Sequence, residues 1–353
     1  MEGKILFDIS HLRFEGNGIA DVNAGSLFLT NNDELRNEFY TEKFIRANGI
    51  GDIRYTPSSV FAFCQTDLTN TDGKLDEEIR LIFEEVMAER MQLIEGFLWF
   101  TWFIKDNSVG LWSTFGQIKS RNIINKISRS FSFYNCQGTK DNCSFSKEQL
   151  TRIGELTQIY QNICPRPLKT MREMIFTYEF DQHGMPFRTY LQRYTNAINY
   201  NDQNCIERAF HFLSIARSQT VLIYKIAYYL AIFESLFTTD STEINKKMSN
   251  RAAFYIGESQ EEYEYIFITI FDSYKIRSKF LHGQVFESDD DIETTHLLRT
   301  AEELDQILRK VLLKIMTKDA EIFSKYDITS RSAYLNSFLP KSLFLRKNFT
   351  RKV

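Results

Sequence analysis

Apolar and polar positions follow two regimes along this chain. Up to about residue 163 short alternating runs mix with helical stretches, whereas beyond residue 186 apolar positions recur almost only at helical spacing. Residues 4–15 alternate, with Ile5, Phe7 and Ile9 on one side, and predict a strand. Residues 26–29 and 60–64 predict two more, separated by a polar region with turn signals at Asn31, Asn32, Asp33, Gly49 and Gly51. Residues 76–104 read as a long helix through Ile79, Ile82, Phe83, Val86, Leu93, Ile94 and Phe97. Its last part, residues 97–103, is apolar all round and must be buried, either as helix or as a strand. Residues 109–116 and 123–134 read as strands, and 135–145 as a polar loop. Ser146 and Gln149 form a capping box for a helix to about Ile163, which Cys164, Pro165, Arg166 and Pro167 stop.

Gly184, Met185 and Pro186 mark the expected domain boundary. Helical patterns then cover residues 187–199, 203–217 and 219–237, the last with Leu222, Ile226, Tyr229, Leu230, Phe233 and Phe237 on one face. Asp240 with Glu243 predicts the cap of a helix that Gly257 ends, and Ser259 with Glu262 caps the next. Asp290 with Glu293 opens a last long helix to about Met316, with Leu297, Leu304, Leu308 and Leu312 inward. Short connections predict antiparallel neighbours, as in a bundle. The expected organisation is an α+β domain over residues 1–185, an all-α bundle over 186–330 and a basic tail over 331–353.

Composition narrows the classes. The chain of 353 residues has room for two domains, and 43% hydrophobic with 25% charged residues is ordinary for a globular protein. The 31 phenylalanines predict cores rich in aromatic packing. A net charge of -3 excludes a nucleic-acid coat protein or a polybasic membrane binder, so any nucleic-acid contact must be local. Five cysteines without a C-x-x-C pattern support neither a disulfide framework nor a zinc ribbon. Cys136 and Cys143 flank one loop and could pair, but reduced thiols are expected. The start lacks the apolar core of a signal peptide, and the longest apolar patch, 97–104, is too short to span a bilayer; a cytoplasmic location is expected.

The N-terminal half carries no Gly-rich phosphate loop, no H-E-x-x-H and no G-x-S-x-G. Its basic cluster, Lys119, Arg121, Lys126 and Arg129, reads as a solvated hairpin face before it reads as a phosphate site. The acidic run Glu287, Asp289, Asp290, Asp291 and Glu293 with His296 matches helix-dipole complementation better than a metal site, and no metal or cofactor is expected. Arg346, Lys347, Arg351 and Lys352 in the tail are weak candidates for RNA phosphates.

The stretch 273–283, SYKIRSKFLHG, holds the candidate chemistry, an arginine (Arg277) followed by a histidine (His282) at the end of an apolar helical segment. The segment presents Ile266, Ile270, Phe271, Tyr274 and Leu281 to a core, and Gly283 supplies a left-handed cap. His282 therefore takes the last helical position, beside unsatisfied carbonyls and the negative end of the dipole. On an ideal helix a spacing of five puts two side chains about 140° apart and roughly 7.5 Å along the axis. Arg277 and His282 thus occupy different faces, while Ser278 and His282 share one. A site using both needs a distorted helix end or a second subunit, and a two-fold dimer is expected.

The run AIFESLF at 231–237, then Glu243 and Arg251, then YKIRSKFLHG at 274–283 resembles the HEPN superfamily, most of all the branch named after the ApeA anti-phage defence proteins. The resemblance covers about residues 187–325. It implies an all-helical, dimerising, metal-independent endoribonuclease, a defence or toxin effector held in check by an N-terminal regulatory or sensor domain until a phage trigger or partner acts. Arg277 takes the place of the family's motif arginine and His282 of its histidine. Ser278 and Lys279 flank them as auxiliary groups, with Ser278 standing where many members have Asn, Asp or His. Glu234 resembles a family acid that faces the motif, either orienting Arg277 or serving as its buried ion-pair partner. A structured RNA target such as a tRNA loop is expected, with no membrane partner. The competing expectation is a non-catalytic HEPN module that binds RNA, a nucleotide or a protein, including an antitoxin-like partner of a nucleotidyltransferase.

Overall fold

The computed structural model describes residues 1–15, 19–21, 27–48, 60–69, 71, 73–127, 132–163, 178–180, 186–188, 203–283, 290–325 and 327–338. The chain forms two compact units, the first built mainly from Met1–Asn135 and Thr139–Gln161, the second containing the helices from Cys205 onward. An N-terminal region that mixes helices with an antiparallel sheet is thus followed by a helical region, as the periodicities predict.

In the first unit β1 (Glu2–Ser10), β3 (Ile19–Asp21), β4 (Phe28–Thr30), β5 (Phe61–Asp67), β6 (Gly110–Ile118) and β7 (Ile123–Ile127) form one antiparallel sheet in the order β3-β4-β5-β1-β6-β7. His11, at φ 63°, breaks the alternating run, so residues 4–15 make two strands; β2 (Leu12–Phe14) pairs in parallel with β8 (Cys143–Phe145). Residues 143–145, expected as loop, are therefore strand, too short to display a period of two. The same limit hides β3, while the expected strand over 123–134 is strand over Ile123–Ile127 and irregular at 132–134, with 128–131 outside the described residues.

Both faces of the sheet are covered, which is why Leu6 is as buried as Ile5 and Phe7. The helix α3 (Asp76–Phe100) crosses one face at Gly3 and Gly116, where a Cβ would collide with Phe83. Against the other face Leu6, Phe61 and Phe115 pack with Phe39 and Phe44. Those two phenylalanines come from α1 (Asp33–Phe39) and α2 (Glu42–Asn48), helices that replace the expected polar turn region. Asn32 caps α1 by accepting the Glu34 amide. Full burial of each ring is worth roughly 1.5–3 kcal/mol, enough to fix a helix too short to stand alone. The apolar segment 97–103 stays helical, α3 passing into a 3₁₀ turn at Thr101–Phe103, with the Phe100 ring centre 5.2 Å from that of Tyr160 of α4 (Lys147–Ile163), the two tilted by 52°. Ser146 and Gln149 do form the box that starts α4.

The strands β9 (Tyr178–Phe180) and β10 (Pro186–Arg188) pair with each other and belong to the first unit, so strand structure continues past the expected boundary at 185. A proline at the first position of a short strand costs no ladder bond, and three residues carry no readable period. The helix expected over 187–199 is thus contradicted at Phe187 and Arg188; its remainder lies outside the described residues.

In the second unit α5 (Cys205–Ser218) and α6 (Leu222–Phe237) form an antiparallel hairpin, with Lys225 Nζ donating to the Ala216 carbonyl at 2.9 Å. A second hairpin joins α7 (Ile244–Ile256) and α8 (Gln260–Leu281) through Phe254 on Tyr263 at 4.3 Å and Asn245 Nδ2 on the Phe271 carbonyl at 3.2 Å. Asp240 is not the cap of α7. Glu243 takes that place at φ 48°, and Asp240 instead accepts Thr242 N and Lys247 Nζ in a local turn. The long helix α9 (Asp290–Lys314) buries Leu304, Leu308 and Leu312 and leaves Leu297 half-buried. It gives way to a π-helical turn at Ile315–Asp319, then α10 (Ala320–Ser324). Last comes α11 (Ile328–Asn336), capped by Asp327, which accepts the amides of Thr329 and Ser330. The expected start of a basic tail at 331 therefore falls inside a packed helix, in which Arg331 and Leu335 are buried. Among the described residues no helix is long and apolar enough to cross a membrane, and Cys64, Cys136, Cys143 and Cys205 are free thiols.

Candidate functional site

Ser259 starts α8 by accepting the Glu262 amide at 3.2 Å. Along the helix Ile266, Thr269, Ile270, Ser273 and Ile276 are buried, a helical spacing that fixes its rotation. That rotation turns Ile268, Lys275 and Lys279 outward and leaves Phe271 and Tyr274 half-buried. Leu281, expected in the core, is 61% exposed.

The end itself is built by Gly283 at φ 65°, whose amide donates to the Phe280 carbonyl at 3.1 Å. His282 sits one position beyond the last helical residue, with its amide on the Ser278 carbonyl at 3.1 Å and its side chain exposed. Ser278 is half-buried and Lys279 exposed.

Arg277 points the other way. Its Nη1 donates to Oε1 of Glu234 on α6, and its guanidinium lies 5.5 Å from the centre of the Tyr274 ring. Both partners are half-buried, 21% and 26% exposed, so the pair is partly shielded from water without bearing the full cost of burial. Nε and Nη2 of Arg277 meet no acceptor among the described residues, and the guanidinium keeps the donors that a phosphate takes bidentately. No hydrogen bond or ion pair joins Arg277 to His282 among the described residues, as the helical arithmetic requires.

Glu234 stands in the last turn of α6, and that helix end is closed by two arginines that pattern reading did not single out as a pair. Arg251 Nη1 donates to the Phe237 carbonyl at 2.6 Å and to Thr239 Oγ1 at 3.3 Å, and its Nη2 reaches Asn336 Oδ1 at 2.9 Å. Arg331 donates to the carbonyls of Ser235 and Thr238, each at 3.4 Å. Both are buried, and no carboxylate is within ion-pair range of either among the described residues. Burial holds the Arg251 guanidinium below its ordinary value, with nearby Arg331 adding and Asp240 opposing. Beside them Tyr255 donates to Asp319 Oδ2 at 2.6 Å. Burial first, then Asp319, pushes the Tyr255 phenol far up and the Tyr334 phenol of α11 up to about 12. The signal in the sequence was Asp327, a helix cap followed four residues on by Arg331.

The other candidates do not join this cluster. Lys119 and Arg121 lie exposed on the turn between β6 and β7, Arg121 bonded to Asp76 at 3.4 Å, and Lys126 is half-buried on β7. Arg129, Glu287, Asp289, Arg346, Lys347, Arg351 and Lys352 lie outside the described residues, as do the side chains of Asp290, Asp291 and Glu293. His296 is exposed, and no group of three or more potential metal ligands gathers among the described residues. Comparison with known protein families, curated proteins and solved structures finds no match for this chain.

Proposed function

We propose that the helical unit is a HEPN-type endoribonuclease that needs no metal. The observation that carries this reading is an arginine, Arg277, anchored through one donor to Glu234 with other donors open, on the same helix end as the exposed imidazole of His282. In the proposed reaction a ribose 2′-oxygen attacks the adjacent phosphorus and the bond to the 5′-oxygen breaks. His282 takes the 2′-hydroxyl proton or gives one to the departing 5′-oxygen. Arg277 holds the phosphate and offsets its developing charge. The products are a 2′,3′-cyclic phosphate and a 5′-hydroxyl. Because the two side chains diverge on one helix, the working site takes its second half from another copy, with the two α8 ends side by side. The first unit then acts as the restraint on that assembly.

Cleavage of total RNA by the full chain in EDTA, wild type against His282→Ala, tests this. Cyclic-phosphate ends from wild type alone are expected. Equal cleavage by both proteins would remove His282 from the chemistry. The divergence of Arg277 from His282 also favours a second reading, a HEPN module that binds RNA or a partner without cutting it. RNA binding unchanged in His282→Ala, with no cleavage by wild type under any partner condition, selects that reading.

A further inference from the structure

We infer that Arg331, on the short helix α11, is a positioning residue for Arg277, acting through the last turn of α6. Glu234, which anchors Arg277, is followed in that turn by Ser235 and Thr238, and Arg331 bonds the carbonyls of both. The Glu234 carbonyl is taken by the Thr238 amide at 3.0 Å, so the turn closes on itself only while Thr238 is held. Helix ends fray where their last carbonyls lack partners, and here α11 supplies the partners. It grips the same end twice more, through Ser332 Oγ on Thr239 Oγ1 at 3.3 Å and Asn336 on Arg251 at 2.9 Å.

The grip is conditional. Arg251 and Arg331 bring two buried positive charges to one helix end, with carbonyls, a hydroxyl and an amide in place of a counter-carboxylate. Arg331 already keeps its buried Nε without an acceptor among the described residues, so its hold on this end depends on the bonds that remain. Releasing α11 would rehydrate Arg331, free the final turn of α6 and let Glu234 leave Arg277. The device is a detachable strap on the arginine half of the site, far along the chain from that arginine. As a statement about catalysis this rests on the nuclease reading; as a statement about Arg277 it does not.

The test reads Arg277 directly. Side-chain nitrogen spectra of the full-length protein are recorded for wild type, Arg331→Met, Arg331→Lys and the surface control Lys325→Ala, with Arg277→Lys providing the assignment. Arg331→Met is expected to move the Arg277 Nε–H signal and to speed amide exchange at Thr238 by about tenfold or more. Arg331→Lys keeps the charge but loses the planar fork, so a smaller shift in the same direction is expected, and it serves if the Met variant does not fold. Lys325→Ala should leave both readings at wild type. Where RNA cleavage is present, Arg331→Met should lower kcat by roughly tenfold with KM little changed. Faster exchange at Thr238 with an unmoved Arg277 signal in both variants would overturn the inference and leave α11 a cap only. Absence of cleavage in wild type would remove the nuclease reading while the spectra still decide this one.

Discussion

Two helix ends in the second unit meet the same physical problem in opposite ways. Each leaves its last carbonyls without intrahelical donors. At the end of α6 the protein supplies the donors itself, from the buried guanidiniums of Arg251 and Arg331. At the end of α8, among the described residues, the backbone amides of His282 and Gly283 close the turn, and the His282 side chain stands exposed. The difference separates two roles. The covered end can fix a side chain, Glu234, against a neighbour. The open end is the one that, in the proposed reaction, receives an RNA phosphate and meets a second copy of the chain.

The comparison can be broken most severely at its covered side. Arg251→Met removes the donor to the Phe237 carbonyl and strands Asn336, and should cost about 3 kcal/mol, read as a lower denaturant midpoint with an unchanged slope. Gly283→Val should cost less, roughly 1–2 kcal/mol, because the left-handed turn then carries a branched side chain, and Gly283→Asn should recover most of that in the same measurement. Alkali also loads the covered end. The unfolded Tyr334 phenol ionises near its ordinary 10.0 while the folded one holds its proton to about 12, so the unfolded state binds fewer protons between them. Stability should therefore be intact below pH 10 and fall as pH rises toward 12, with Tyr255 adding in the same direction, and Tyr334→Phe should flatten the decline. Smallest of all, His282→Ala should change stability by no more than about 0.5 kcal/mol while removing the proposed cleavage.

What could be read in the sequence follows how many residues each element commits to one face. The long helices α3, α6, α8 and α9 repeat their apolar stripe over several turns and were visible, as was the box at Ser146. The helices α1 and α2 each bury a single phenylalanine, so no period exists to detect, and Asn32 looked like a turn when it was a cap. Helix α11 was hidden for another reason. Arg331 adds to the count of basic residues near the terminus, and charge counting cannot tell a solvated cation from one that closes a helix end. For the site, spacing alone placed Arg277 and His282 on different faces, and the geometry agrees. The meeting of Glu234 and Arg277 was not in the local pattern at all. It depends on how α6 crosses α8, and only the family resemblance raised it.

The wide turn at Ile315–Asp319 has one more consequence. A π-helical turn takes one residue more than the α-helix on either side of it, and so resets the angular phase of all that follows. That phase points Asp319 at Tyr255 and sets the direction in which the chain leaves toward α11. Deleting exposed Thr317 would let four residues wind as ordinary α-helix through nearly the angle that five span in the wide turn, so the downstream chain would keep its direction. The arginine strap would then still face its helix end. The wide turn absorbs one letter of the sequence locally, so the identity of the residues beyond it matters more than the count within it.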